Sequence, residues 1–426
     1  MTAAERRTGA LAGTPLDDVA AGLDLCVHCG FCLQGCPTYL ALEDENDSPR
    51  GRLMLMRAAV DGGLPVDDPG FHTHIDRCLG CRACETACPS GVPYGHLLEA
   101  TRETFAQRRP LDRLTAMMLV TMANEALRRV ILGGGRLLRT LRLTRVLARL
   151  PGRIGFAMAM LESTRPAVSP GPPAPATGGP RGSAALLTGC VMEQLFPHTN
   201  RATERVLSRN GYRVVEAPGQ RCCGALHAHA GEVARARSLA RTNVGAFERS
   251  GADVIAVNAA GCGAMMKDYG HLLRHDPDWA ERAARFSARV RDVSELLAAA
   301  GPVPPGRLAV RATYDAPCHL LHAQRVTDPP LAVLRSIPGL ALTPLPDADR
   351  CCGGAGIYNL VQPASSAAIL REKVDRVRGT GAALVVTGNP GCHMQIGAGL
   401  LRAGLAIRCA HPVDLLDRAY GESPTA

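Results

Sequence analysis

Short apolar runs alternate with amphipathic stretches through the second half of the chain, and the alternation recurs. Residues 184–189 and 212–215 read as buried strands, 199–209 and 232–249 as helices with one apolar face, and 253–257 as a third strand. The same order returns as strand 308–314, helix 330–336, strand 340–344, helix 364–378 and strand 383–387. Recurrence at an offset of about 130 residues predicts an internal duplication of an α/β unit.

The first hundred residues are patterned differently. Helical text at 50–57 and 94–107 flanks two segments without apolar periodicity, so an all-helical domain is expected over 1–108. From about 109 to 165, Leu, Met and Arg recur at helical spacing, which predicts two amphipathic helices broken at Gly133, Gly134 and Gly135. Residues 166–183 are a proline-glycine linker with nothing to bury, and they mark a domain boundary. The expected architecture is α+β and multidomain. It has a helical domain (1–108), a basic helical bridge (109–165), a linker (166–183) and a duplicated α/β domain (184–426) with halves of about 184–300 and 307–420.

Composition narrows the chemistry. With 426 residues and 46% hydrophobic content the chain can build real cores, so its 17 cysteines are not needed as staples. Residues 1–22 contain Glu5, Arg6 and Arg7 but no apolar signal core, so disulfides are not expected and the thiols read as metal ligands. The net charge of +9 is almost wholly arginine, since Lys267 and Lys373 are the only lysines. Aromatic content of 4%, with Trp279 the single tryptophan, argues against nucleic acid as a partner, because no basic-aromatic stripe exists for stacking. Eight arginines and no acid between Arg128 and Arg153 fit an anionic membrane surface, and equally a solvated bridge. The longest apolar stretch, 114–123, is too short to span a bilayer.

Two runs carry the strongest signal. Cys26-Val27-His28-Cys29-Gly30-Phe31-Cys32-Leu33-Gln34-Gly35-Cys36-Pro37 and Cys78-Leu79-Gly80-Cys81-Arg82-Ala83-Cys84-Glu85-Thr86-Ala87-Cys88-Pro89 share the spacing C-x2-C-x2-C-x3-C-P. That is the bacterial ferredoxin signature of two 4Fe-4S clusters, in which the fourth cysteine of each run serves the other cluster. The expected ligand sets are Cys26, Cys29, Cys32 and Cys88 for one cluster, and Cys78, Cys81, Cys84 and Cys36 for the other. Helices bracketing each loop are expected to bury both. Zinc does not suit a triple C-x2-C-x2-C followed by C-P.

A second set follows the duplication. Cys190, Cys222-Cys223 and Cys262 correspond to Cys318, Cys351-Cys352 and Cys392. All lie at or just past strand ends, where open α/β sheets place ligands. Gly224, Gly353 and Gly354 permit the turned backbone that adjacent thiols need to face one metal. An additional 4Fe-4S cluster, a zinc ion and buried apolar thiols are the three readings. His227, His319, His322 and His393 read as hydrogen-bond partners, and Cys409 as a core residue.

These motifs, with Ser48-Pro49-Arg50-Gly51-Arg52, Ala316-Pro317-Cys318-His319, Cys351-Cys352-Gly353-Gly354-Ala355-Gly356 and Asn389-Pro390-Gly391-Cys392, give a chain that resembles the iron-sulfur subunit of glycolate oxidase (glycolate dehydrogenase) over nearly its whole length. Its second half also looks like the cysteine-rich CCG domain shared with heterodisulfide reductase and the C subunit of anaerobic glycerol-3-phosphate dehydrogenase. The resemblance implies an electron-transfer subunit without catalytic residues of its own. FAD-binding flavoprotein partners would oxidise glycolate to glyoxylate, and electrons would pass toward the respiratory quinone pool from a cytoplasmic position on the inner face of the cell membrane. The alternatives are the equivalent subunit for lactate or glycerol-3-phosphate, and a CCG-type thiol-disulfide or quinone reductase. One departure is that Met265 and Gln395 stand where noncubane CCG domains carry a further cysteine, which argues against a five-thiolate cluster. No strand is followed by a G-x-G-x-x-G nucleotide fingerprint.

Overall fold

The computed structural model describes residues 11–171, 178–299 and 301–422, so residues 172–177 of the linker and the first ten of the N-terminal segment lie outside it. The chain forms two compact units. The first contains residues up to Leu119 together with Ala225–Ala236 and Arg350–Ile369, and the second contains Val120–Gly224, Arg237–Asp349 and Leu370–Ala426.

The first unit's N-terminal part, through Leu119, has helices as its only regular elements among the described residues. Helices Pro49–Val60, Pro69–Asp76 and Tyr94–Arg108 enclose a core of Leu16, Leu53, Met56, Phe71, Ile75, Leu97 and Phe105. The two inserted segments come from equivalent places in the duplicated halves. Helix Ala225–His229 packs on Tyr94–Arg108, where His229 Nδ1 meets Glu99 Oε1 at 3.0 Å and Arg102 donates to the His229 carbonyl at 3.0 Å. From the other segment, the Tyr358 hydroxyl donates to the Arg77 carbonyl at 2.9 Å.

The second unit holds two all-parallel four-stranded sheets. β1 (Ser183–Leu186), β2 (Arg213–Val215), β3 (Val254–Val257) and β4 (Val290–Asp292) run in the order β2-β1-β3-β4. β5 (Val310–Tyr314), β6 (Leu340–Thr343), β7 (Leu384–Val386) and β8 (Arg408–Ala410) repeat it as β6-β5-β7-β8. The outer strands β4 and β8 escape sequence reading because Arg291, Asp292 and Arg408 leave them no apolar run of the kind that marks the equally short β2 and β7; pairing with β3 and β7 defines them. Cys409 lies on β8 and is buried.

One core joins the two halves, with Leu186 and Ala256 of the first sheet and Ala312 and Val386 of the second in the same apolar cluster. Helix Pro197–Arg209 of the first half packs on Pro412–Ala419 of the second, and Val293–Ala298 packs reciprocally on Asp328–Arg335. Arg205 grips Asp417 across the first pair with bonds of 2.8 and 2.7 Å, a two-pronged geometry that fixes the register of the two helices.

The bridge departs from expectation. It consists of four helices, Arg113–Ala123, Glu125–Thr140, Leu143–Leu147 and Gly152–Ser163, and the second runs straight through Gly133, Gly134 and Gly135. Each glycine costs a helix about 1 kcal/mol, but Gly135 admits Leu161 so closely that a Cβ would sit 3.0 Å from its Cδ2. Packing outweighs propensity here. The breaks fall instead at Asn124, whose side chain caps the Glu125–Thr140 helix, and at Arg142, which is left-handed at φ 60°. Among the described residues no helix is long and apolar enough to cross a membrane.

Candidate iron-sulfur sites

The two cysteine runs share one backbone. In each, the residues flanking the second cysteine are left-handed: His28 and Gly30 at φ 54° and 84°, Gly80 and Arg82 at 64° and 63°. Reversals at both places curl the chain so that successive thiols face one space. A cavity of about 420 Å³ is lined by Cys26, Cys29 and Cys32 together with Cys88 from the other run. A second, of about 300 Å³, is lined by Cys78, Cys81 and Cys84 together with Cys36. Pro49, Cys84 and Tyr94 border both.

Between the cavities stands the first turn of helix Pro49–Val60. Its start is set by Ser48, whose hydroxyl oxygen accepts the Gly51 N–H at 2.9 Å, and by Pro49 at the first helical position. Residues two apart on a helix point in nearly opposite directions, so Arg50 lines the first cavity and Arg52 the second. The 48–52 motif thus has a physical role that its sequence did not disclose.

The cavities differ in shelter. Around the first, Cys29 is exposed and Val27 and Phe31 are 67% and 66% exposed. No regular element covers residues 26–36, so the expectation that helices bury both loops holds only for the second, where Cys36, Cys78 and Cys84 are buried. Burial pushes the Cys32 thiol up to about 11 and the Cys81 and Cys84 thiols well above their usual range, with neighbouring Cys351 adding to the shift at Cys81. Such thiols give up their protons only where a bound cation offsets the buried charge, which is what iron does as it binds sulfur.

Polar groups converge on the second cavity. Tyr94 Oη and the Gly80 N–H donate to Cys78 Sγ at 3.5 and 3.4 Å, and Thr38 Oγ1 lies 3.3 Å from Cys36 Sγ. Behind them Arg52, with no exposed surface, donates to Thr38 Oγ1 at 3.0 Å and to the His74 carbonyl at 2.6 Å, and pairs with Asp47 at 3.1 Å. Arg77 and His74 meet the same carboxylate at 2.9 and 3.2 Å. Burial opposes the Arg52 charge, but Cys78, Tyr94, Cys36 and Asp47 outweigh it and hold the guanidinium protonated. Arg52, Asp47, Thr38 and Tyr94 were not legible as site residues, because their roles rest on contacts between separate elements.

In the second unit the first half brings four thiols together past the carboxyl ends of β1, β2 and β3. Cys222 Sγ lies 3.5 Å from Cys190 Sγ, and Cys223 Sγ 3.2 Å from Cys262 Sγ. Gly224 follows at φ 88° and supplies the turned backbone. Asn243 and Tyr269 hold the Cys222 and Cys223 carbonyls at 3.1 and 2.8 Å. The bond Cys222 makes with Cys190 favours its thiolate, yet Cys223 and burial push it up to about 12. Four thiolates bonded to zinc at ~2.3 Å would stand ~3.8 Å apart, close to both observed pairs.

Known proteins divide along the same lines. Residues 22–92 match the family described as 4Fe-4S dicluster domain, and 184–267 and 312–397 match the cysteine-rich domain, CCG. The probable glycolate oxidase iron-sulfur subunit of Bacillus subtilis (strain 168) is 38% identical, over 93% of this chain and 94% of its own length. This chain belongs to the glycolate oxidase iron-sulfur subunit family. Its Escherichia coli (strain K12) relative is 35% identical over 88% of this chain and 89% of that one. Lactate utilization protein A of Geobacillus kaustophilus is 30% identical over 55% of this chain and 98% of its own. A solved structure of a hypothetical protein from Helicobacter pylori shares the fold, with a TM-score of 0.51 at 10% identity over 91% of this chain and 77% of that one.

Within this iron-sulfur subunit the second-half cysteines are distributed. Cys318 and Cys392 belong to the second compact unit, while Cys351 and Cys352 belong to the first. Asn389 Nδ2 donates to Cys392 Sγ at 3.3 Å. Neighbouring histidines are held by polar contacts: His227 with Glu232 at 2.7 Å, His322 with the Asp349 carbonyl at 3.0 Å, and His393 with the Ser163 carbonyl at 3.1 Å.

Proposed function

We propose that this chain is the electron-relay subunit of a glycolate dehydrogenase complex. Its flavoprotein partners oxidise glycolate to glyoxylate, and electrons leave toward the quinone pool from the cytoplasmic face of the cell membrane. The observation that carries the reading is the pairing of cavities, each lined by three cysteines of one run and the fourth of the other. Cys26, Cys29, Cys32 and Cys88 are assigned to one 4Fe-4S cluster, and Cys78, Cys81, Cys84 and Cys36 to the other. Clusters bound there would supply one-electron steps, which suit a flavin that must shed two electrons singly.

The chain's own residues position and tune. The surface loop with exposed Val27 and Phe31 offers a docking face for the electron donor. Arg52 and Tyr94 stabilise negative charge on the sulfurs of the buried site and so favour its reduced state. Cys190, Cys222, Cys223 and Cys262 are proposed as a further four-thiolate metal centre, supported by their two close pairs.

The purified chain should show EPR signals of reduced clusters and no glycolate-dependent dye reduction; adding the flavoprotein subunits should let glycolate reduce those clusters. Turnover of glycolate by the isolated chain would overturn the relay reading. Reduction by lactate but not glycolate through the cognate flavoprotein would transfer it to the lactate relatives. Metal analysis decides the third centre: roughly twelve irons per chain mark a third cluster, roughly eight with one zinc mark zinc, and roughly eight without zinc remove it.

A further inference from the structure

Exposed aliphatic side chains are concentrated in one part of the second unit. Of the fifteen large hydrophobic residues exposed among the described residues, nine lie between Leu127 and Ile154. Five of them, Leu127, Val130, Ile131, Leu137 and Leu141, follow helical spacing along Glu125–Thr140 and just past its end, and so form one stripe on one face. Val130 is 72% exposed, and Val146 in the following helix Leu143–Leu147 is 62% exposed.

This helix is inverted relative to an ordinary surface helix, whose apolar face packs inward. Its inner side is the polar one. Arg128 is buried and donates to the Met122 carbonyl at 2.7 Å, Arg139 donates to the Thr164 carbonyl at 2.9 Å, and Gly135 admits Leu161. With those two arginines turned in, six remain exposed: Arg129, Arg136, Arg142, Arg145, Arg149 and Arg153. No acid occurs between residues 128 and 153, and nearby Glu125 is already paired with Arg129 and Arg221.

We propose that this face is an interfacial docking surface for an anionic lipid bilayer. Aliphatic side chains enter the headgroup boundary while the arginines beside them meet lipid phosphates, their stems lying along the apolar layer. The chemistry favours lipid over a protein partner, because protein hot spots centre on aromatic anchors and residues 125–155 contain no aromatic residue. It also favours lipid over nucleic acid, which has no use for an exposed aliphatic stripe. The proposal deepens the relay reading, which requires delivery to a membrane-bound acceptor, and assigns that delivery a surface.

The test is flotation of the cluster-loaded full chain with large unilamellar vesicles of phosphatidylcholine alone and of phosphatidylcholine with phosphatidylglycerol. Binding to the anionic vesicles should exceed binding to the neutral ones at least tenfold and fall in high salt. Val130→Asn with Leu137→Asn should weaken it at least tenfold, and Arg136→Gln with Arg145→Gln should remove most of the lipid preference, while circular dichroism and cluster EPR signals stay unchanged. All four positions are exposed or at the rim, so the fold does not depend on them. Equal binding to both vesicles, no binding, or variants that bind like the parent would overturn the proposal. So would a stripe-dependent dimer in sedimentation without vesicle binding, which would reassign the face to a second copy. Vesicle binding needs neither glycolate nor the flavoprotein, so its failure is separate from failure of the relay reading.

Discussion

The two compact units present thiols by opposite physical means. In the first, seven of the eight ferredoxin cysteines, all but Cys84, sit outside any regular element on loops shaped by left-handed turns, and the space between those loops is a cavity rather than a packed core. In the second, Cys190, Cys222, Cys223 and Cys262 are placed by the carboxyl ends of a parallel sheet whose apolar core runs on into the other half. The contrast teaches that similar sulfur chemistry can rest on metal-built or on core-built scaffolds. The first kind gains much of its folding free energy from the metal, and the second brings its own.

Iron removal should separate the two most strongly. Anaerobic chelation is expected to make the segments 26–36 and 78–88 protease-sensitive and to abolish cooperative melting of the first unit, while fluorescence of Trp279, which lies in the second, keeps its native emission. Equal resistance in both units would erase the contrast. Next in size is Cys36→Ser. Although Cys36 belongs to the first run, its loss should remove the cluster on Cys78, Cys81 and Cys84, lowering iron by about four per chain and sparing the other EPR signal; loss of the first run's cluster instead would refute the crossed assignment.

Acid should find the weakness of the second unit. His411 is buried with Nε2 on the Asn258 carbonyl at 2.9 Å and Nδ1 accepting the Val413 N–H at 3.1 Å, which leaves no place for a second proton. Burial holds it down to about 3, and His198 and His393 to about 4. Their unfolded forms take up protons that the folded forms refuse, so stability present above pH ~6.5 is lost as pH falls, by roughly 2 kcal/mol per histidine at pH ~5. Asp414 and Asp292, raised by burial to about 7 and about 6, act in the opposite sense and recover part of the loss. Denaturant unfolding followed through Trp279 should show His411→Asn reducing the acid loss by roughly 2 kcal/mol; an unchanged pH slope would count against a buried neutral histidine.

The smallest effect concerns tuning. Tyr94→Phe removes one hydrogen bond to Cys78 Sγ, worth about 1 kcal/mol, so the midpoint of the buried cluster should fall by about 40 mV in an EPR-monitored titration while that of the exposed cluster moves less. Equal shifts in both would show that the buried cavity is not tuned separately.

Much of the fold was legible because its signals are local. The recurring strands and helices of residues 184–387 announce themselves through apolar runs, and the ferredoxin loops through spacing that a single turn of backbone must satisfy. Strands β4 and β8, interrupted by Arg291, Asp292 and Arg408, were not, since their strand character exists only in pairing with β3 and β7. The helix break misread at Gly133–Gly135 has the same origin: intrinsic propensity is local, and Leu161, which offsets it, is not.

Residue spacing along the chain was enough to specify two ferredoxin loops, a duplicated α/β half and a family, because ligand spacing and periodicity are properties of neighbouring residues. Only the folded chain made one cluster site a surface and the other a buried pocket ringed by Arg52, Thr38 and Tyr94, and only it turned the Val130–Leu137 stripe outward. Those outcomes depend on which distant elements meet and on which face each leaves to solvent. No local pattern carries that information, since the same helical text serves a face turned inward or outward.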